Sequence, residues 1–499
     1  MDQNLPPLIQ ALLAPQRFGL AVARVELVQT HISWVLLAGE FAYKIKKPVK
    51  LAFLDFSTLS QRQRFCLDEL RLNRRFAPDL YLDVVPIFNT PADPQFSGSG
   101  EPIEYAVKMR RFDEAARLDR VCDRGELRPQ HLSDLAQTLC AFHAEAAVAT
   151  EGSRFGSPEL VMGPVRDNFA GLQQGLLPGD VQARLAALRR WSEAQFESLR
   201  ALITARQRAG CVRESHGDLH LANMVLIDER VRLFDCLEFN EELRWIDVAS
   251  EIAFTYTDLL AHKQAGLANW FVNEVWSRNG DYAAAPLLRF YAVYRAMVRA
   301  KVAAIRASQS GGDAQETLEY LALAERLAAP PPARLLITHG LSGCGKTFVS
   351  NQLLQADDAA CLLRLRSDVE RKRLFGLTAG ATSGSTIDGG IYAGDAHART
   401  YARLREQAAG LLQAGWSVIV DATFLRRTDR DTFRALAREM RVPFSILAPQ
   451  ATPEQLRARI LARAAQGRDA SEATLEVLAQ QLRTLEPLSA DECALLAEA

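Results

Sequence analysis

No apolar run in this sequence approaches the roughly 18 residues that crossing a bilayer requires, so no membrane span is expected. Net charge is also lacking: 59 Lys and Arg stand against 60 Asp and Glu. No whole-molecule field draws the chain onto nucleic acid or an anionic surface. Cysteine is sparse, and the eight present are scattered singly, without a C-x-x-C pair or metal-ligand spacing. That sets aside structural zinc and predicts reduced thiols in a cytoplasmic protein. The opening "MDQNLPPLIQALLAPQ" has an early Asp and no basic segment, so it reads as an amphipathic helix rather than a secretory signal. There is no repeat with a period of about 20 to 50 residues.

What is present is a chain of 499 residues, 48% apolar and 24% charged. That length exceeds what one hydrophobic core organises and predicts two or three domains. The clearest punctuation is "AAPPPAR", Ala328 to Arg334, whose three prolines cannot continue the helix expected of "DAQETLEYLALAERLA". The main boundary is placed there, between a first domain over 1–330 and a second over 335–499. In the first, "VARVELVQTHISWVLLAGEFAYKIKKPV" is strand-rich, whereas the pattern from about 113 to 330 is mainly helical. This predicts α+β organisation, with a small sheet lobe to about 112 and a helical lobe to about 330.

The second domain opens with "RLLITHGLSGCGKTFVSNQLLQ": a short apolar run, a glycine-rich loop and a helix-spaced segment. This is the strand, loop and helix of a phosphate loop, in which backbone N–H groups and the helix N-terminus surround a phosphate. Gly340, Gly343 and Gly345 leave room for it, and Cys344 is a small residue within the loop that could make it sensitive to thiol reagents. Lys346 is expected to reach the β and γ phosphates of ATP or another nucleoside triphosphate, and the Thr347 hydroxyl to hold Mg2+. Further on, "WSVIVDATF" reads as a buried parallel strand ending at Asp421, a magnesium carboxylate or its support. "RLRSDVERK" places Asp368 and Arg371 after another strand, where α/β ligands bind; Asp368 suits a general base and Arg371 an anion. Arg459 and Arg463 lie four apart on one helix, with Arg468 beyond, as an arginine-bearing lid would. The glycine-rich stretch 376–395 is expected over the acceptor site. Charges in this half are close to balanced and no aromatic ladder is present, so a small hydroxylated acceptor suits it as well as a nucleic acid.

In the first domain the strongest chemical signal is "SHGDLHLANMVLIDERVRLFDCLEFN". Phosphoryl transfer needs a carboxylate beside the acceptor hydroxyl, and an amide and a second carboxylate for metal ions. Asp218 is followed five residues later by Asn223, the offset of the kinase H-R-D-x-x-x-x-N loop, and Asp235 follows two short strands. A strand lysine and a helix glutamate complete such a site. "EFAYKIKKPV" offers Lys44 and Lys46 on one side of a strand, with Lys44 preferred. "CLDELRLN" offers Glu69, with Asp68 as its competitor. "YAVKMRRF" is where a hinge between lobes falls, with Lys108 to Arg110 offering backbone groups to adenine.

"HGDLHLAN", "LFD" and "RWIDVASE" together resemble the aminoglycoside phosphotransferase and choline kinase group of protein-kinase-like enzymes. The resemblance implies Asp218 as catalytic base, Asn223 and Asp235 as magnesium ligands, Asp247 as a structural carboxylate and His216 as the loop's anchor. "QTHISWVLLAG" departs from the kinase pattern, since it contains no G-x-G-x-x-G. "GLSGCGKT", "RSDVERK", "VDATFLRRTDR" and the lid arginines resemble the small ATPase and kinase group that includes phage-type polynucleotide 5′-kinase. The whole chain is thus similar to fusions of an aminoglycoside phosphotransferase-like domain with an α/β P-loop NTPase domain built on a parallel sheet. The resemblance implies two ATP- and Mg2+-dependent centres acting on hydroxylated small molecules or, for the second, a 5′-hydroxyl oligonucleotide. The alternative is a first domain that only binds or regulates. No protein partner is indicated.

Overall fold

The computed structural model describes residues 5–19, 22–51, 54–150, 152–173, 179–310, 313–379, 381, 394–466 and 473–497, with side chains left out at 309–310, 394 and 463–466. They form two compact units that do not follow chain order. The first comprises Met1–Leu127, Ala141–Gly163 and Arg200–Thr255, and the second Arg128–Cys140, Pro164–Leu199 and Tyr256–Ala499. The prolines at 330–332 lie inside the second unit. Among the described residues no helix is long and apolar enough to cross a membrane.

The first unit is built on six antiparallel strands: β1 (Val25–Gln29), β2 (Ser33–Ala38), β3 (Phe41–Lys46), β4 (Tyr81–Thr90), β5 (Asp93–Gln95) and β6 (Glu104–Arg110). They are ordered β1-β2-β3-β6-β4-β5. Side chains alternate across a strand, and β3 uses both faces. Tyr43 and Ile45 join a core with Ile9, Leu12, Trp34 and Leu36. Ala42 joins another with Cys66, Leu70, Val107 and Met109. The even positions of β3, Lys44 and Lys46 among them, therefore face the helix α1 (Leu59–Arg74).

A capping box starts α1: Thr58 accepts from the Gln61 N–H and Gln61 returns to the Thr58 N–H. Its buried face carries Arg62, Cys66, Glu69 and Asn73 at helical spacing. Beyond the helices that follow, a hairpin of β7 (Met224–Ile227) and β8 (Arg230–Leu233) separates the two stretches that carry Asp218, Asn223 and Asp235. Sheet, α1 and hairpin form the expected α+β, protein-kinase-like fold.

The second unit holds a four-stranded parallel sheet of β9 (Leu335–Thr338), β10 (Leu362–Arg366), β11 (Ser417–Asp421) and β12 (Phe444–Leu447), ordered β10-β11-β9-β12. This is the α/β P-loop arrangement. A strand running into a loop and helix at the sheet's carboxyl edge is repeated in each crossover. Before the sheet in sequence comes α2 (Ala265–Asn279); between and after its strands come α3 (Lys346–Gln355), α4 (Ser367–Leu374), α5 (Gly394–Gln413), α6 (Arg427–Met440), α7 (Pro453–Gln466) and α8 (Leu475–Thr484).

Strand β10 is an edge strand, and α2 covers it. The Asn273 amide donates to the Leu362 carbonyl at 2.9 Å and its oxygen accepts from the Arg364 N–H at 2.7 Å. Residues two apart on a strand point these groups the same way, so one side chain completes the ladder where another strand would sit. Asn269 donates to the Leu354 carbonyl at 3.0 Å, and Tyr256 to that of Ala360 at 2.8 Å. A Cβ on Gly266 would lie 1.9 Å from the Gln355 oxygen. The approach needs glycine.

Candidate active sites

In the first unit, Lys44 and Lys46 share one carboxylate. Lys44 Nζ donates to Glu69 Oε1 at 2.8 Å and also pairs with Asp235. Lys46 Nζ donates to Glu69 Oε2 at 2.6 Å and also pairs with Glu238. The Lys46 side chain is 0% exposed, whereas that of Lys44 is 12% exposed and that of Asp235 43%. Of the two lysines, Lys44 stands where a phosphate could reach it. Asp68 turns outward, 3.8 Å from Arg64 and from Arg71.

Burial opposes these charges, but the carboxylates of Asp235, Glu69 and Glu238 hold the Lys44 pKa well above its ordinary value. Burial likewise opposes ionisation of Glu69, yet the two ammonium groups lower its pKa to about 2. For Glu238 burial wins over Lys46 and shifts the pKa upward.

The loop following Val212–Glu214 turns at Gly217, where φ is 88° and a Cβ would meet the Leu243 oxygen at 3.1 Å. Asn223 Nδ2 donates to the Asp218 carbonyl at 2.9 Å and to its Oδ2 at 3.1 Å, and His220 Nε2 lies 3.3 Å from that oxygen. His216 Nε2 meets the Phe234 carbonyl at 2.9 Å, tying the loop to the Asp235 segment. Burial lowers the His216 pKa. Glu251 accepts from the backbone N–H groups of His216 and Gly217, and His143 Nε2 lies 2.5 Å from its other oxygen. Asp235 sits at φ 61°, its N–H donating to the Tyr81 hydroxyl at 3.0 Å. Asp247 is held by Arg206 at 2.7 and 2.9 Å.

Helix α1 is fastened to the same loop. Arg71 donates to both Glu214 oxygens at 3.0 Å, and Arg75 donates to the Glu214 and Ser215 carbonyls at 2.8 and 3.2 Å. Asn73 accepts from the Cys236 N–H at 2.9 Å. One expectation does not survive. Lys108 to Arg110 belong to β6, paired with β3, and the Arg110 N–H is given to the Leu80 carbonyl. Any hinge lies beyond them.

In the second unit, Gly340, Gly343 and Gly345 have φ of 136°, 87° and 106°, conformations that glycine adopts without strain. Lys346 Nζ folds over the loop and donates to the Gly340 and Leu341 carbonyls at 2.9 and 2.8 Å. Thr347 Oγ1 donates to Asp421 Oδ2 at 2.9 Å, bringing together two oxygens, from α3 and the end of β11, that could ligate a hard cation. Arg459 Nη1 donates to the Gly343 carbonyl at 3.2 Å from α7. Arg371 Nη1 lies 3.3 Å from Asp368 Oδ1 at the start of α4, beside the carboxyl end of β10. The Arg463 side chain, Arg468 and residues 382–393 of the glycine-rich stretch lie outside the described residues. The Cys344 thiol packs under Leu456, Ile460 and Leu478, so the residue offers the loop its backbone rather than a reactive sulfur.

Both sets of donors suit a magnesium nucleotide. Among the described residues no group of three or more His, Cys, Asp or Glu is placed to hold a metal unaided. Mg2+ bound by one or two carboxylates takes its remaining ligands from water and phosphate oxygens. Asp421 with Thr347, and Asp235 with Asn223, would supply the protein's share.

Several members of these sites were not singled out in the sequence. Glu238 carries a signal in "FDCLEFN", three residues after Asp235, but nothing local says that it meets Lys46. Tyr81 comes from β4 and Gln481 from α8, where it accepts from the Ser342 N–H of the phosphate loop at 2.8 Å. Neither has a motif of its own.

Residues 335–488 match the family model described as an AAA domain. Solved structures align with the earlier part of the chain. A choline/ethanolamine kinase family protein from Mesorhizobium loti matches at 14% identity over 64% of this chain and 94% of its own, with a TM-score of 0.41. An aminoglycoside phosphotransferase from Alicyclobacillus acidocaldarius matches at 15% identity over 66% and 93%, with a TM-score of 0.39. The curated relatives include the uncharacterized proteins Mb2027c of Mycobacterium bovis and Rv2004c of Mycobacterium tuberculosis. Each is 31% identical over 452 residues, covering 90% of this chain and 88% of the relative. With both halves inside that alignment, the chain belongs to the Rv2004c family, joining a protein-kinase-like domain to a P-loop AAA domain.

Proposed function

We propose that the protein is an ATP- and Mg2+-dependent phosphotransferase with two centres, one in residues 1–330 and one in 335–499, each moving a γ-phosphoryl group to a hydroxyl. The observation that supports this reading is that one chain brings together two unrelated side-chain clusters whose chemistry suits a phosphate and a metal ion. Lys44 between Glu69 and Asp235 belongs to the first, and Lys346 with Thr347 and Asp421 to the second. The magnesium nucleotide would supply the phosphoryl group and an electrophilic phosphorus. Asp218, whose side chain is 39% exposed, would accept the acceptor's proton, with Asn223 and His220 fixing its orientation. In the second centre Asp368 would do this, with Arg371 beside it holding an anionic group. Arg459 would close on the nucleotide from α7, joined by Arg463. A hydroxylated small molecule is the acceptor proposed for each, a 5′-hydroxyl oligonucleotide being the alternative for the second. No disulfide joins the cysteines of the described residues, which suits a reducing cytoplasm.

The test is a screen of hydroxylated metabolites and 5′-hydroxyl oligonucleotides with labelled ATP on the full chain, Asp218→Ala and Lys346→Ala. Each variant should lose one activity and keep the other. Wild-type rates from either variant, for every acceptor the intact chain uses, would remove the corresponding centre.

The β1–β2 turn favours a second reading, in which the first domain binds or regulates. It lacks glycines over a nucleotide, and Thr30 Oγ1 accepts the Ser33 N–H within it at 2.9 Å. Under that reading Lys346→Ala abolishes all transfer and Asp218→Ala none.

A further inference from the structure

The second lysine of β3 is not accounted for by nucleotide chemistry. Lys46 is wholly buried, and so are both its partners, Glu69 at 0% and Glu238 at 4% exposure. Burying three charged side chains is costly, and removing one partner leaves a buried charge uncompensated. The arrangement divides the Glu69 carboxylate. Lys46, gripped from behind by Glu238, takes Oε2, which leaves Oε1 alone for Lys44. A lysine facing an undivided carboxylate can sit across both oxygens and withdraw from a phosphate. Lys44 is denied that position.

Helix α1 is also immobilised from other directions. Arg62 on its buried face donates to both Glu104 oxygens at 3.0 and 2.8 Å, and Arg71 and Arg75 bind the strand before the Asp218 loop. The Glu69 end cannot swing away without breaking several buried contacts. The one partner of Lys44 that is exposed is Asp235, the proposed metal ligand.

Resting on the reading of the first domain as a magnesium-nucleotide site, we propose that Lys46 and Glu238 are positioning residues. They pin Glu69 permanently, so that nucleotide binding exchanges only the Asp235 partner of Lys44 and needs no movement of α1. The site is thereby assembled before nucleotide arrives.

The experiment uses the full chain carrying Lys346→Ala, which silences the phosphate loop, and titrates it calorimetrically with MgATP and with adenosine. Lys46→Met alone strands the buried Glu238 carboxylate and one oxygen of Glu69, and can fail to fold. The informative variant is therefore Lys46→Met with Glu238→Leu, which removes one buried charge of each sign and keeps the Lys44–Glu69 pair. Expected is at least a tenfold loss of MgATP affinity, about 1.4 kcal/mol, with adenosine affinity changed less than twofold. Unchanged MgATP affinity would overturn the inference, and so would an equal loss for adenosine, which a merely structural role produces. Should the Lys346→Ala parent bind no MgATP, the nucleotide reading itself falls, and the inference with it.

Discussion

Replacing Asn273 by leucine tests whether the P-loop sheet depends on the helix that precedes it in the chain. The Asn273 side chain is buried and makes three hydrogen bonds, to the Leu362 carbonyl, the Arg364 N–H and the Asn269 carbonyl, at 2.9, 2.7 and 2.8 Å. Leucine has a similar volume and no hydrogen-bonding atom. Two groups of the edge strand β10 would then be buried without partners, at about 1–3 kcal/mol each. Burying the leucine returns about 1–2 kcal/mol, so at the middle of these ranges the expected net loss is about 2.5 kcal/mol. Urea unfolding followed by tryptophan fluorescence reads this directly. The Trp276 and Trp416 rings lie edge to face at 6.3 Å, and Trp416 Nε1 donates to the Ala285 carbonyl at 3.0 Å in the same packing. The same reasoning says that residues 335–499 expressed alone expose the edge of β10 and aggregate. A stability change under about 0.5 kcal/mol for Asn273→Leu, within the scatter of neutral surface changes, would refute the reasoning. A folded, ATP-binding 335–499 fragment would refute it too.

Two further outcomes are expected. The Glu69 pKa falls from 4.5 to about 2 in the folded protein; a depressed carboxylate stabilises above its unfolded value and loses that contribution as pH drops from about 4.5 towards 2. Urea midpoints over that window should therefore decline less steeply for Glu69→Gln than for wild type, and parallel profiles would count against it. With a thiol-reactive chromogenic reagent, Cys493 is exposed and should give the fast phase, abolished in Cys493→Ser, while buried Cys344 stays unreactive until unfolding; a fast phase that survives in Cys493→Ser but vanishes in Cys344→Ser would contradict the packing of α7 and α8 over the loop.

Both chemical signatures could be read directly because they are local. In "GLSGCGKT" the glycine turns and the Lys346 and Thr347 side chains fall within eight residues, and in "HGDLHLAN" Asp218 and Asn223 lie within a similar span. The pairing of Lys44 with Glu69 was open to reasoning because strand alternation and helix spacing limited the candidates to two of each. Sorting Glu69 from Asp68 required knowing which face of α1 is buried.

What the sequence determined by itself was the local chemistry: which residue types stand at the turns, strand ends and helix starts where the proposed handling of phosphate, metal and proton would take place. Only the tertiary structure decided the partners. It put Glu238 behind Lys46, 192 positions apart in the chain, gave Arg71 and Arg75 to Glu214, and used Asn273 to finish the edge of a sheet lying beyond the proline stretch. The physical reason is that motifs are set by backbone geometry over a few residues, whereas a buried charge or an unpaired strand edge is satisfied by whatever the fold brings within about 3 Å.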